Sequence, residues 1–266
     1  ADHGDFMLAS AELEPGHGWD YRSLSLLQQN PDATPVQLGQ TIIDGFAAQA
    51  REAGTDEDIT LSLVDLNGMG ALEGTLGALA QPLIGDPTFA APLLARAQAD
   101  ALKFGANPDP SIDSYHVDLA QVAASLGAAD SALSAPAGDV VQALDDMVIA
   151  STSGLASAGA GGMSIYFPPY GDVFRQGYLF LDGIEVWPDL LQSFYTAGAA
   201  IPADEQVAFT NSDGVGEYFF DGDGLNLFGT FDLAAQDNLV EAEIFYGVRD
   251  ESDDSIIFIG EEPGEV

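Results

Sequence analysis

Strand-like and helix-like patterns alternate along the chain up to about residue 200, and this alternation restricts the fold more than any other feature of the sequence. Residues 59–66 alternate apolar and polar side chains, which predicts a strand. Residues 6–9 and 163–167 are short apolar runs that also predict strands. Predicted helices cover residues 22–29, 35–53, 70–81, 89–103, 119–126, 139–146 and 187–197. Such an order is typical of a layered α/β domain.

The pattern changes after residue 203, where helical periodicity gives way to short strand-like runs. These runs cover residues 206–210, 217–220, 225–231, 240–248 and 256–259, with Gly, Asp, Asn and Ser in the connections between them. Closely spaced strands with turn residues between them predict antiparallel hairpins. We therefore expect an α/β domain over residues 1–203 and a small antiparallel β module over residues 204–266.

The chain is strongly acidic, with six Lys and Arg residues against 43 Asp and Glu residues and a formal net charge of −37. Its hydrophobic fraction of 47% still predicts a packed core rather than disorder. The scattered cations exclude nucleic acid as a direct partner and disfavour anionic membrane surfaces. Membrane insertion is not expected, because no uninterrupted stretch of about 20 apolar residues occurs. The acidity predicts a salt-adapted protein outside the cell or at its surface, and an acidic cytoplasmic protein is the alternative.

Several enzyme classes are excluded by the residues that are missing from the sequence. The chain contains no Cys, so it has no disulfide, no thiolate metal site and no cysteine nucleophile of its own. It also lacks the H-E-x-x-H motif of zinc hydrolases and the G-x-S-x-G turn of serine hydrolases.

Two segments carry a family resemblance. Residues 10–21 read Ser-Ala-Glu-Leu-Glu-Pro-Gly-His-Gly-Trp-Asp-Tyr, and residues 162–168 read Gly-Met-Ser-Ile-Tyr-Phe-Pro. They are similar to the Ser-Glu-Glu-x-Glu-Pro-Gly-x-Gly-Trp-x-Tyr and Gly-Leu-Ser-Ile-Tyr-Phe-Pro segments of the clostripain family of cysteine peptidases. Weaker matches lie in residues 59–66, 114–119 (where the family has a helix start) and 246–260. The resemblance implies the C-terminal part of a caspase-like α/β sandwich.

The resemblance also implies that the catalytic groups lie outside this chain. In the family, a His and the nucleophilic Cys both precede the segment that residues 10–21 resemble. We therefore expect this chain to be the heavy-chain part of a clostripain-like cysteine endopeptidase, held to a light chain or N-terminal fragment that carries Cys and His. Alone, it should be unstable or prone to aggregation, because an apolar strand edge would be open. The alternative is a non-catalytic relative that binds a partner, which the departures at Ala11 and His17 favour slightly.

Five residues are implied to surround the substrate cleft by their place in the resembling segment: Ser10, Glu12, Glu14, His17 and Trp19. Clostripain-like enzymes favour Arg or Lys at P1, which a carboxylate explains. His17 stands where the family often has an acid, and this implies an altered or relaxed P1 preference; an ordinary exposed loop His is the alternative. For Glu14 the alternatives are a P1 ligand, a helix cap and a solvated acid. For Trp19, packing in the core is favoured over a subsite.

Three carboxylates of the β module are candidate calcium ligands. Asp213, Asp221 and Asp223 lie in turn sequences, where oxygen ligands could face one ion. The spacing lacks the terminal Glu of an EF-hand, and simple hairpin turns are the favoured reading. No other cofactor is expected.

Overall fold

The computed structural model describes residues 4–181, 185–202, 206–212, 227–232, 239–240, 242–250, 252 and 255–264. The strands are β1 Phe6–Ala9, β2 Thr60–Asp65, β3 Lys103–Phe104, β4 His116–Asp118, β5 Val148–Ser153, β6 Ser164–Tyr166, β7 Phe209–Ser212, β8 Gly229–Phe231, β9 Glu243–Arg249 and β10 Ile256–Pro263. The α-helices are α1 Leu26–Gln29, α2 Pro35–Ala53, α3 Met69–Gly85, α4 Pro87–Asp100, α5 Leu119–Ala129, α6 Ser131–Met147 and α7 Val186–Ala199. The protein thus has a mixed α/β fold.

The strands form small antiparallel sheets. The first has the order β1-β2-β5, with Leu8 opposite Leu63 and Leu63 opposite Ala150. The second has the order β3-β4-β6, and β7-β8 and β9-β10 form two further pairs. In the first sheet, both neighbours run antiparallel to β2. One end of the sheet therefore contains the end of β1, the start of β2 and the end of β5. The segment that contains the predicted site residues begins at this end of the sheet, directly after β1.

Helix α2 packs across one face of the first sheet and encloses a small core. This core consists of Ile43, Phe46, Ala50, Ile59, Leu61 and Leu63. The helix starts with a capping box, in which the Thr34 hydroxyl accepts from the Gln37 backbone N–H and the Gln37 side chain accepts from the Thr34 N–H. It comes so close to β2 that a Cβ on Gly39 would lie 2.7 Å from a methyl carbon of Leu63.

A larger core lies between the helices α3 to α7 and the second sheet. Its biggest fully buried side chains include Trp187, Phe167, Leu126 and Leu144. The Phe167 ring meets Trp187 edge-on at a centroid distance of 5.4 Å, and the Trp187 Nε1–H donates to the Tyr166 carbonyl at 2.9 Å. Buried aromatic pairs of this kind add to the stabilisation that comes from the apolar area alone. Most of the buried apolar surface of the described chain belongs to this core.

Several sequence predictions need correction at their boundaries. The helix predicted over 139–146 is α6 and begins at Ser131, with Pro136 inside it. The helix predicted up to residue 103 ends at Asp100, because Lys103 and Phe104 pair with β4 instead. The helix start that the resemblance placed in residues 114–119 is confirmed, since Asp118 caps α5, which begins at Leu119; the three residues before it, His116–Asp118, form a strand that was not predicted.

In the region of the predicted β module, the structure describes β7 to β10, which form two antiparallel pairs. The strand predicted over 217–220 lies outside the described residues, and the boundary at residues 203–204 stays a prediction. Lys103 Nζ lies 3.0 Å from Glu243 Oε1, so an ion pair links β3 to β9. Of the helices that the structure describes, none has the length and apolar content needed to cross a membrane.

Candidate functional site

The loop that follows β1 is fixed to the first residue of β2. The Thr60 hydroxyl oxygen accepts from the backbone N–H groups of Ala11 at 3.0 Å and Glu12 at 2.9 Å, and it lies 3.0 Å from the Ser10 hydroxyl oxygen. Ser10 donates in turn to the Glu12 carbonyl at 2.7 Å. Thr60 is 3% exposed, so these bonds are shielded from water on the Thr60 side. Two predicted site residues, Ser10 and Glu12, are therefore brought together.

The Glu12 carboxylate joins the same loop to the second sheet. Its Oε1 atom accepts from the backbone N–H of Leu13 at 2.7 Å and from that of Gly105 at 3.0 Å. Gly105 directly follows β3 and has a φ of +61°, a conformation that suits glycine. Glu12 therefore spans from the loop after β1 to the turn after β3, and one of its oxygens already has two donors.

Glu14 and Trp19 form a second pair within the loop. The Trp19 indole N–H donates to Glu14 Oε1 at 2.8 Å, while the Trp19 ring packs against the small core under α2. Glu14 is exposed. Since an indole N–H is a neutral donor, it does not cancel the charge of the carboxylate. Of the two acids predicted for the cleft, Glu14 is thus the one that faces solvent.

His17 is half-buried and its ring points into the protein, which does not fit the alternative of an ordinary exposed loop His. Its Nδ1 atom lies 2.7 Å from the Gly18 carbonyl oxygen and its Nε2 atom 2.9 Å from the Thr55 hydroxyl. The Gly18 carbonyl requires a donor at Nδ1, whereas the Gln49 amide nitrogen, 3.2 Å from the same atom, is itself a donor, so these two contacts favour different tautomers. The half-buried ring packs 6.1 Å from Phe46, and Gln49 donates to the His17 carbonyl at 3.4 Å. His17 fixes the loop to the end of α2.

A shallow depression lies at the same end of the sheet, on the β5 side, and no residue of the loop is part of its lining. It has a volume of about 320 Å³. Its wall includes Arg51 from α2, Asp56 next to Thr55, and Ser153 from the end of β5. A second depression, of about 330 Å³, contains Asp65 and lies at the other end of β2. Neither of these two depressions is lined by a predicted site residue.

The loop between β5 and β6 is fixed by a buried carboxylate. Asp118 is fully buried, and it accepts from the backbone N–H of Gln121 at 2.9 Å and from that of Gly161 at 2.7 Å. Burial raises the pKa of Asp118 above its ordinary value, while these bonds act in the opposite direction. Asp118 caps α5 and holds the glycine-rich segment against it, which is a structural role.

No group of three or more His, Cys, Asp or Glu side chains within the described ranges is arranged to hold a metal ion. Asp213, Asp221 and Asp223 lie outside those ranges, so their calcium-binding role stays a prediction. The substrate-binding role of the five loop residues likewise stays a prediction, although the structure places Ser10 with Glu12 and Glu14 with Trp19.

The sequence interpretation missed the residues that hold the loop. Thr60, Thr55 and Gly105 were not among the predicted site residues, yet each makes a hydrogen bond to one of them. Their separation in sequence hides them, since Thr60 lies 50 residues from Ser10. A usable signal was the polar Thr60 at the start of a buried strand, because a buried hydroxyl needs hydrogen-bond partners.

A match with known proteins covers the part of the chain that contains this loop. The model of the clostripain family matches residues 1–174, which is most of the α/β region and stops before α7. Both segments on which the resemblance was based lie inside the match. No curated protein matches the chain significantly.

Proposed function

Because this chain belongs to the clostripain family of cysteine peptidases, we propose that it is the heavy-chain part of an endopeptidase whose Cys and His are carried by a companion chain. On this proposal, the chain supplies one wall of the substrate cleft and holds no catalytic residue. Protein or peptide is the substrate, in agreement with the family. The proposed caspase-like layering would be completed by strands of the companion.

The free edge of the first sheet carries this proposal. Strand β1 consists of four apolar residues, Phe6–Ala9, and its outer edge has no partner strand within the described part of the chain. Met7 is 39% exposed. Natural edge strands are protected by charge, proline or bulges, and β1 has none of these. At the opposite edge, β5 ends in the polar residues 151–153. The two edges differ, and only β1 has the composition of an interior strand.

A companion strand beside β1 would place the catalytic Cys and His of the companion chain next to the loop at residues 10–20. That loop leaves the carboxyl end of β1, and a parallel neighbour would end at the same place. In a cysteine peptidase the thiolate attacks the peptide carbonyl carbon, and the His transfers a proton to the departing amine. Water then hydrolyses the acyl-enzyme and restores the thiol and the new carboxyl group. The side chains of this loop would contact the substrate around the scissile bond.

The loop geometry supports a relaxed P1 preference. Glu14 is an exposed carboxylate that could pair with the side chain of Arg or Lys. Glu12 already accepts from two backbone N–H groups, and His17 faces α2 rather than the solvent. One available acid would attract a P1 cation less strongly than two. A panel of peptides that differ only at P1 measures this, and a strict requirement for Arg would contradict it.

The proposed setting follows from the charge of the chain. A net charge of −37 favours a salt-rich medium outside the cell or at its surface, where counterions screen the repulsion between carboxylates. Retention of activity and of a cooperative unfolding transition at molar salt, with loss of both at low salt, would support this setting. Equal stability at both salt concentrations would contradict it.

Native mass spectrometry of the purified protein, with N-terminal sequencing of each component, tests the central proposal. We expect a second polypeptide that contains Cys and His and that reacts with an irreversible cysteine-directed peptide inhibitor. Replacement of that Cys by Ser in the companion is the matched control and should abolish labelling without releasing this chain. A lone species of 27.7 kDa that does not react would contradict the proposal and favour the non-catalytic binding protein.

A further inference from the structure

We propose that Thr60 is a positioning residue for the substrate loop and that its hydroxyl sets the loop's conformation through a directed chain of hydrogen bonds. The inference rests on the proposed peptidase function for its consequence on substrate binding. The bonds themselves are a property of the described structure. We name the set Ser10, Ala11, Glu12 and Thr60 the hydroxyl clamp.

The direction of every bond in the hydroxyl clamp follows from the number of sites on each hydroxyl. A Thr hydroxyl has one donor and two acceptor positions. The N–H groups of Ala11 and Glu12 occupy both acceptor positions of Thr60. The Thr60 proton is therefore left for the Ser10 oxygen at 3.0 Å, and the Ser10 proton goes to the Glu12 carbonyl at 2.7 Å. Thr60 has no further capacity, so its hydroxyl is fully satisfied.

The hydroxyl clamp turns the chain sharply at the end of β1. Ala9 pairs with Ser62 in the sheet, whereas Ala11 and Glu12 both donate to one oxygen of Thr60. Two consecutive N–H groups that converge on one atom stop the extended conformation of the strand. The Glu12 side chain is thereby directed to Gly105. Thr60 thus determines where the segment from Leu13 onward, with the exposed Glu14, leaves the sheet.

Thr60 can be altered without a change in side-chain size. In Thr60→Val a methyl group replaces the hydroxyl, which leaves the Ala11 and Glu12 N–H groups without their acceptor, whereas Thr60→Ser keeps it. The matched control is Thr75→Val in α3, whose hydroxyl donates to the Leu72 carbonyl and which lines the depression at the other end of β2.

The experiment measures kcat and KM of the complete enzyme, with its Cys-bearing part, on peptides that vary at P1. For Thr60→Val we expect KM to rise about tenfold or more, since two partly buried donors lose their partner. We also expect a smaller change in kcat and an altered ratio of kcat/KM between peptides with different P1 residues. Thr60→Ser should restore KM to within about threefold of the wild type, since its hydroxyl replaces the lost acceptor. Thr75→Val should leave KM unchanged. Faster hydrogen exchange at the Ala11 and Glu12 amides should accompany the effect of Thr60→Val.

The outcomes separate this inference from the proposed function. A wild-type enzyme that neither cleaves peptides nor reacts with a cysteine-directed inhibitor would overturn the proposed function and the substrate role of Thr60 with it. If the wild-type enzyme is active and Thr60→Val keeps both the wild-type KM and the wild-type ratio of kcat/KM between P1 residues, the role of Thr60 alone is overturned. If Thr60→Val does not fold, Ser10→Ala removes the middle of the hydroxyl clamp at a less buried position. It should then raise KM, and an unchanged KM would count against the inference.

Discussion

The two cores of the α/β region differ in size and in what covers them. The larger core is formed by buried residues from five helices, from the second sheet and, at Val64, from β2. The small core lies between α2 and a sheet whose β1 edge has no partner among the described strands. The proposed cleft loop adjoins the small core through Trp19 and His17. We conclude that stability is concentrated away from the site, as is common where a binding surface must accept a partner.

The comparison predicts the largest effect for Phe167→Ala in the larger core. Phe167 is fully buried and packs edge-on against Trp187 and Phe194. Its truncation should lower the free energy of unfolding by about 3–5 kcal/mol. Denaturant unfolding measures this, and Phe180→Ala, at an 83% exposed position, is the matched control with an expected change below about 0.5 kcal/mol. Equal effects of both variants would show that the larger core is not the main source of stability.

A variant of the small core should have a local effect. Leu61→Ala removes a fully buried side chain of β2 and should cost about 2–4 kcal/mol. Because the small core is less enclosed, we expect amide hydrogen exchange to accelerate in α2 and β1 and to stay unchanged in α5 and α6. Uniform acceleration in all four elements would mean that both cores unfold as one unit and would remove the distinction between them.

Loss of the N-cap of α2 tests the same difference between the two cores with a smaller expected change in the free energy of unfolding. Thr34→Ala removes the side-chain acceptor for the Gln37 N–H, which should cost about 1 kcal/mol. Thr34→Ser keeps a hydroxyl and should restore most of the loss. Thermal unfolding measures both variants, and exchange should again accelerate in α2 only. Equal losses in the two variants would indicate that the methyl group of Thr34, rather than its hydroxyl, stabilises the helix.

The smallest expected effect is a pH dependence at His116, beside the larger core. Burial lowers the pKa of His116 from its ordinary value of 6.5, and the nearby Arg175 guanidinium lowers it further, against the opposing effects of Ser114 and Asp113. The folded state therefore binds this proton less tightly than the unfolded state, and stability should fall as the pH is lowered below 6.5. Comparison with His116→Gln isolates this contribution, since the variant lacks the group. An identical pH profile for both proteins would contradict the prediction.

Helices and strands were predicted correctly from the sequence where their signals are local. Helix α2 was predicted to its first residue, because Thr34-Pro35 is a local start signal, and β2 was predicted from its alternation. The short strands β3 and β4 were missed, since Lys103–Phe104 is too short to show a period and forms only by pairing with residues 116–117. The start of α6 was placed eight residues too late; the helix begins at Ser131, where the Asp130 side chain caps it, and it contains Pro136.

The position of the substrate site stays a prediction, and the contacts of its residues were not predicted. The resemblance identified the loop that contains Ser10, Glu12 and Glu14, and the family match covers it. The partners of His17 were not predicted, because two flanking glycines suggested an exposed turn, while Thr55 and Gln49 lie more than 30 residues away in sequence. Such partners are set by the packing of α2 on the sheet, which no local pattern encodes.

The contacts of the hydroxyl clamp have a consequence for how such a protein can diverge. Thr60 binds the backbone N–H groups of Ala11 and Glu12, and every residue except proline offers that donor. Side chains at these positions can therefore be exchanged by mutation while the path of the loop is inherited intact. Ala11, which stands where the clostripain pattern has Glu, is such an exchange. An ancestral peptidase could acquire new substrates one side chain at a time, without first having to evolve a new loop.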